Sequence, residues 1–295
     1  MMPQRLEGIV PILLTPFDAL GRIDTDSLEA LIDFNIASGV HGLGVALGSE
    51  IFKFNEPERA ALISKVVQHV AGRVPVVANT GAAGTDLAVY YSRMAAEAGI
   101  DAVMVIPPFF MPASVDEIIH YYATIAGAVD LPIILQDVPQ APISPQLALA
   151  IAALAPTVRY AKVETLPVVA RVAAMTEAVS DQLTIIGGAG GSYFIEEMRR
   201  GARGTMPFSS QPAEFVEVWN RFQAGDEAGA RRAFDSTIMA VNRLAAQAGD
   251  LAFHVHKQIL VRRGIIASAA VRAPTMSIDA TTQREIDMTL AAIGG

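Results

Sequence analysis

The sequence predicts an α/β protein, a (β/α)8 TIM barrel followed by a C-terminal helical extension. Two observations carry that prediction. Short β-rich apolar runs alternate with longer helical patterns eight times, with strand starts roughly 20 to 33 residues apart, and a doubly wound sheet rarely needs so many units. From about Asp226 onward the strand signals stop and the pattern is helical. The chain therefore divides into a barrel, residues 1–225, and an extension, residues 226–295.

Each unit is legible in turn. Ile9 to Leu14 is an apolar run stopped by Thr15-Pro16, and Asp26 to Ser38 reads as a helix closed by Gly39. Val40 to Leu47 precedes a helix over Glu56–Val70, and Val74 to Asn79 precedes one that ends at Gly99, with Thr85 placed as its N-cap. Ile100 to Ile106 runs into Pro107-Pro108, with a helix after Ser114; Pro132 to Leu135 is followed by a helix after Ser144. Val158 to Val163 pairs with a helix from about Pro167, Leu183 to Ile186 with Tyr193 to Arg200, and Gly204 to Pro207 with Ala213 to Phe222. The extension is Ala-rich around 228–248 and ends in an amphipathic run from Thr281 to Ile293.

Composition bounds the function. Half of the residues are apolar, at 52%, yet no run approaches the roughly 18 to 20 residues of a membrane span. The chain has no cysteine, and its amino terminus lacks the apolar core of a secretory signal, so the expected location is cytoplasmic. A formal charge of −8, with no Lys/Arg run longer than two residues, excludes a nucleic-acid surface. An acidic ligand must be held locally, by backbone amides or a few placed donors.

The informative side chain is Lys162. Only four lysines occur, Lys53, Lys65, Lys162 and Lys257, and three have surroundings that suggest access to water. Lys53 follows Phe52 in a loop-like segment, Lys65 sits on an amphipathic helix, and Lys257 lies among His254, His256 and Gln258. Lys162 instead falls within a strand, where alternation puts Tyr160, Lys162 and Glu164 on one face. An ammonium in an apolar site is costly, so the neutral amine becomes available to attack a carbonyl. The bland alternative is a strand-end lysine that reaches water or pairs with Glu164.

The barrel rule gathers the candidates at one mouth, since active groups follow the C-terminal ends of the strands. These are Ala46-Leu47-Gly48-Ser49-Glu50, Asn79-Thr80-Gly81, Pro107-Pro108-Phe109-Phe110, Gln136-Asp137-Val138-Pro139, Lys162 with Glu164-Thr165, and Gly187 to Gly191. Together they resemble the family of dihydrodipicolinate synthase and N-acetylneuraminate lyase over essentially the whole chain. The resemblance implies a Schiff base between Lys162 and a 2-oxo acid such as pyruvate, and no metal or organic cofactor. It also implies a homo-oligomer, a dimer or a homotetramer.

Departures from the family pattern point within it. The proton-passing threonine is matched by Leu47, the relay tyrosine of strand five by Gln136, and a second tyrosine by Phe110, and none of these carries a hydroxyl. The arginine that holds the aldehyde substrate is missing from Gln140-Ala141-Pro142. With Ser49-Glu50, Gln136-Asp137 and Lys162-Val163-Glu164-Thr165, the chain resembles the branch containing L-2-keto-3-deoxyarabonate dehydratase, a carbon–oxygen lyase. The expected catalytic set is Lys162, which the resemblance makes the imine-forming group, Glu164 as base or to tune the imine, and Gln136 to hold a substrate hydroxyl or position water, with Ser49 or a bound water assisting the leaving hydroxyl. The substrate is expected to lie against Gly48, Ser49, Phe110, Gly187 and Gly188, its carboxylate on the amides of Gly48 and Ser49. The alternatives are a pyruvate-dependent aldolase, a synthase-like condensation, and a 2-oxo-acid-binding protein without turnover.

Other residues have plain readings. Glu50 is expected to order its own loop and Asp137 to hold the strand-five turn. The glycine run reads as a tight loop that admits the substrate, in preference to a phosphate cradle. His254 and His256, two apart on a helix, point to different sides and predict no metal. Tyr90-Tyr91 and Trp219 read as packing or interface residues.

Overall fold

The computed structural model describes residues 6–293; the reading of the first five residues as lacking a secretory core lies outside them. Eight parallel strands form one sheet in the order β1-β8-β7-β6-β5-β4-β3-β2. They are β1 (Gly8–Ile9), β2 (Leu43–Val45), β3 (Val76–Asn79), β4 (Ala102–Val105), β5 (Ile133–Asp137), β6 (Val158–Val163), β7 (Thr184–Gly187) and β8 (Gly204–Thr205). The first strand is shorter than the apolar run predicts. Beyond it, Ile12 bridges to Gly44 on one side and to Phe208 on the other, so the rest of that run serves as the seam that closes the sheet into a barrel.

Strand alternation sorts the apolar residues into two cores. Val77, Met104, Ile134, Tyr160, Ile186 and Met206 fill the barrel interior. Their sequence neighbours, such as Val103, Leu135, Ala161 and Ile185, face the helices that surround it. Those helices are α1 (Thr25–Ala37), α2 (Glu56–Val70), α3 (Thr85–Ala98), α4 (Val115–Ala128), α5 (Pro145–Ala152), α6 (Val168–Val179), α7 (Phe194–Met198) and α8 (Pro212–Gln223). Capping boxes start two of them: Asn55 with Glu58 on α2 and Ser114 with Glu117 on α4. Thr85 is not the cap of α3. Gly84 holds that position, and Thr85 is the first helical residue.

After the barrel come α9 (Glu227–Ala233), a π-helical turn over Phe234–Ile238, α10 (Met239–Ala245), α11 (Leu251–Arg262) and α12 (Ala280–Ala292). The last three helices share a core in which Val241, Leu244, Val255 and Ile259 meet Ile286 and Leu290 of α12, whereas Ala230 of α9 and Phe234 and Ile238 of the π turn join the core around the barrel. Each such buried side chain contributes roughly 1.5–3 kcal/mol. No helix among the described residues is long and apolar enough to cross a membrane.

One expectation fails here. Lys257 is fully buried, more so than Lys162, and the Lys53 side chain is nearly so. Lys257 Nζ donates to Glu50 Oε1 at 2.6 Å and to the Ala270 carbonyl at 2.7 Å, and it stands over the Phe17 ring. Glu50 also accepts from Lys53 Nζ at 3.1 Å and from the Arg272 amide at 3.0 Å. This carboxylate therefore clamps the loop after β2 to α11 and to the segment that follows it. Burial lowers the Lys257 ammonium to about 8, with Glu50 opposing that shift. We expect Lys257→Met to destabilise the fold by about 3 kcal/mol, the lower end of the cost of breaking a buried pair, because Lys53 and the Arg272 amide still reach Glu50. Urea unfolding at constant slope measures it.

Candidate active site at the barrel mouth

Three strand ends build the site. Gln136 of β5, Lys162 of β6 and Ile186 of β7 are register partners, so their side chains stand side by side on the inner face of the barrel. Lys162 and Gln136 are both buried, at the bottom of a cavity of about 450 Å³. The walls are mostly apolar, with Leu47, Val138, Met206, Phe208 and Phe253 among them, and the last of these comes from α11. Lys162 and Glu164 are the charged side chains in that lining.

Glu164 lies one residue beyond the end of β6. Its Oε2 is 3.0 Å from Lys162 Nζ, its Oε1 accepts from the Ala189 amide at 2.8 Å, and Gln136 Nε2 donates to Oε2 at 3.3 Å. The lysine is thus ion-paired. Burial alone would push the Glu164 carboxyl up, but the Lys162 ammonium and these hydrogen bonds hold it below the usual carboxylate range. The orientation of Gln136 is set from behind, because Asn79 Nδ2 donates to its Oε1 at 2.7 Å and leaves its NH₂ for Glu164. Asn79 is positioned in turn by Arg59, whose guanidinium donates to its carbonyl and packs over Tyr91.

Asp137 points away from the cavity and holds the loops around it. Its Oδ1 accepts from the Ile143 amide and from Thr165 Oγ1, both at 2.7 Å, and so ties the turn after β5 to the residue next to Glu164. The glycine run after β7 permits close approach. A β-carbon at Gly188 would land on the Glu164 side chain and one at Gly187 on the carboxyl of Glu197. His256 is buried against Ser210 Oγ at 2.7 Å, and burial lowers its imidazole to about 3. His254 is turned instead to Thr275, at 2.8 Å. Among the described residues no cluster of three or more His, Cys, Asp or Glu side chains gathers to hold a metal.

Residues 5–293 match the dihydrodipicolinate synthetase family. The chain belongs to that family. It is 33% identical over 289 residues to a 4-hydroxy-tetrahydrodipicolinate synthase of Sorangium cellulosum, covering 95% of this chain and 94% of the relative. Among solved structures it resembles YagE, a prophage protein of the dihydrodipicolinic acid synthase family from E. coli K12 in complex with pyruvate. The TM-score is 0.92 at 25% identity, over 99% of each chain. The dihydrodipicolinate synthase of Rhodopseudomonas palustris superimposes with a TM-score of 0.89 at 27% identity, also over 99% of each chain. Enzymes of the family are lyases and synthases that act through a lysine Schiff base, without metal or organic cofactor.

Within this family frame the candidates separate. Lys162, Glu164, Gln136 and Gly48 meet at the cavity. Ser49 does not reach it: it is fully buried, its hydroxyl accepts from the Ala46 amide and its own amide is bonded to the Ala46 carbonyl. Gly48 and Leu47 line the wall in its place. Phe110 stands 80% exposed, outside the lining. Gly187 and Gly188 lie behind the wall that Ala189 and Gly190 form. Two residues beside the site go unnamed in the sequence reading, Phe253 and Glu197, while Asn79 stands there only as a member of the loop after strand three. For Glu197 a signal existed, since it falls three residues after Phe194 and so on that residue's buried helix face.

Proposed function

We propose that the protein dehydrates a 2-keto-3-deoxy sugar acid through an imine on Lys162. The observation that carries this reading is the environment of the lysine. Its one neighbouring base in the cavity is the Glu164 carboxylate at 3.0 Å, and an amide, Gln136, stands where the family places a relay tyrosine. Aldol chemistry in the family uses that hydroxyl relay. Elimination needs a base beside the carbon next to the imine and a proton for the departing hydroxyl, and Glu164 supplies the first and, once protonated, the second.

The steps balance as follows. The Lys162 amine adds to the C2 carbonyl and water leaves, giving the protonated imine. That cation acidifies C3, Glu164 takes one C3 proton, and the enamine expels the C4 hydroxyl, which leaves as water with the proton that Glu164 now carries. Tautomerisation and hydrolysis then release the semialdehyde and free the lysine. Gln136 keeps Glu164 facing the lysine, and the substrate carboxylate rests near the amide of Gly48 in a wall with no arginine. Gln140 lines the cavity where the synthase branch has its carboxylate-binding arginine nearby, which weighs against condensation with an aldehyde acid.

The second reading is a pyruvate aldolase or lyase, supported by the pyruvate bound to YagE. Both readings fit a homo-oligomer, for which the exposed run Phe109-Phe110-Met111 offers an apolar surface. The deciding experiment supplies 2-keto-3-deoxypentonates and hexarates and measures both semialdehyde and free pyruvate. Semialdehyde without pyruvate is the expected outcome. Pyruvate release favours cleavage, and imine trapping with no turnover across the panel leaves a binding protein.

A further inference from the structure

Glu197 of α7 is fully buried, and neither of its carboxyl oxygens has a hydrogen-bond partner. An ionised carboxylate in that position would be expensive, so the group is held neutral. Its place is specific. The carboxyl rests on the α-carbon of Gly187, while Glu164 rests on that of Gly188, so the two acids pack against one dipeptide with no side chain between them. Thr205, the register partner of Gly187 on β8, is also buried with its hydroxyl unpartnered.

The charged groups that bear on Glu197 are Glu164 and Glu196, and the nearby cations are turned to other carboxylates. Glu164 lies across the glycine pair, and Lys162 lies beyond it, paired with Glu164. Glu196, on the same helix, is turned to Arg231 of α9. Arg171 of α6 is turned to Asp137. Among the described residues no cation pairs with Glu197, so no positive charge offsets its ionisation.

We propose that Glu197 is a positioning residue for the Lys162–Glu164 pair, acting through its charge across Gly187-Gly188, so that the site works with Glu197 neutral and is impaired when it ionises. A second negative charge behind Glu164 strengthens the hold on the lysine as ammonium and opposes release of the nucleophilic amine. A neutral acid in the same place does neither. Burial, then the charges of Glu164 and Glu196, push the Glu197 carboxyl up to about 8, so the neutral form prevails at physiological pH. The sign for stability agrees. The native state keeps a proton that the unfolded chain releases above the ordinary value of 4.5, so stability falls as pH rises from there towards 8.

The inference rests on the imine reading, and the test keeps the two apart. The rate of pyruvate adduct formation, trapped by borohydride and mapped to the Lys162 peptide, is measured for the wild type and Glu197→Gln from about pH 6 to about pH 9. The expected ratio of variant to wild type is near one at the acid end and rises about tenfold through a midpoint near 8. A ratio that does not change with pH overturns the proposal, because a merely structural role of Glu197 shifts the rate equally throughout. Should Glu197→Gln fail to fold, the wild type alone serves. Its infrared spectrum must show a buried protonated carboxyl band that disappears as pH rises through about 8, and absence of that band at neutral pH overturns the proposal. If the wild type forms no adduct at any pH, the imine reading fails, and the infrared titration judges the charge state of Glu197 by itself.

Discussion

Lys162→Ala is expected to abolish the borohydride-trapped adduct and to lower turnover by about 10⁴-fold or more, the scale on which enzymes lose activity when their nucleophile is removed. The loss should be chemical. The other partners of Glu164, the Ala189 amide and Gln136, remain in place, and β6 keeps its hydrogen bonds to β5 and β7. The check combines peptide mass mapping after reduction with thermal unfolding of the same sample. A mapped adduct at any other lysine, or turnover within tenfold of the wild type, would sink the mechanism. Lys257 is the informative control, because it is buried more deeply than Lys162 but stands clamped to Glu50 away from the cavity lining.

Glu164→Gln separates the two halves of the reaction. The amide keeps the size of the carboxylate but cannot take the C3 proton, so elimination should slow by about 10²–10⁴-fold while imine formation survives. The expected signature is accumulation of the trapped adduct with the sugar acid, with little semialdehyde. Equal loss of adduct and turnover would instead make Glu164 a partner that only holds the lysine. The acid side of the wild-type pH profile carries the same information. Because Lys162 and the surrounding donors hold the Glu164 carboxyl below the usual range, its deprotonated form persists, and activity that depends on it falls only below about pH 4.5.

The architecture and the meeting of Lys162 with Glu164 were legible because both follow from local rules. Strand alternation in β6 turns Lys162 inward and brings Glu164 to the same mouth, and the eight-fold recurrence of strand and helix patterns leads to a closed parallel sheet. What escaped depends on contacts distant in the chain. Lys257 has polar neighbours in sequence, and nothing near it announces Glu50, which lies 207 positions away. Ser49 has the residue type expected of a substrate contact, yet a single tight turn spends both its amide and its hydroxyl on Ala46. Phe110 was placed by correspondence with a residue that, in the synthase, serves a neighbouring subunit, and within one chain it meets solvent. Gln136 lines the cavity at the end of its strand, but the donor that fixes its orientation, Asn79, sits on a different strand.

The clamp between Glu50 and Lys257 has a consequence for the order in which the protein is made. The residues proposed to carry the chemistry, up to residue 164, leave the ribosome well before Phe253 and Lys257, which finish the cavity wall and neutralise the buried carboxylate after β2. A nascent chain that has completed all eight strands therefore still holds Glu50 without its deepest partner and a mouth open on one side. Since chains fold as units while they emerge, the cavity is walled on that side only once α11 has been made, and a polypeptide cut short before α11 leaves Lys162 without the wall that shelters it.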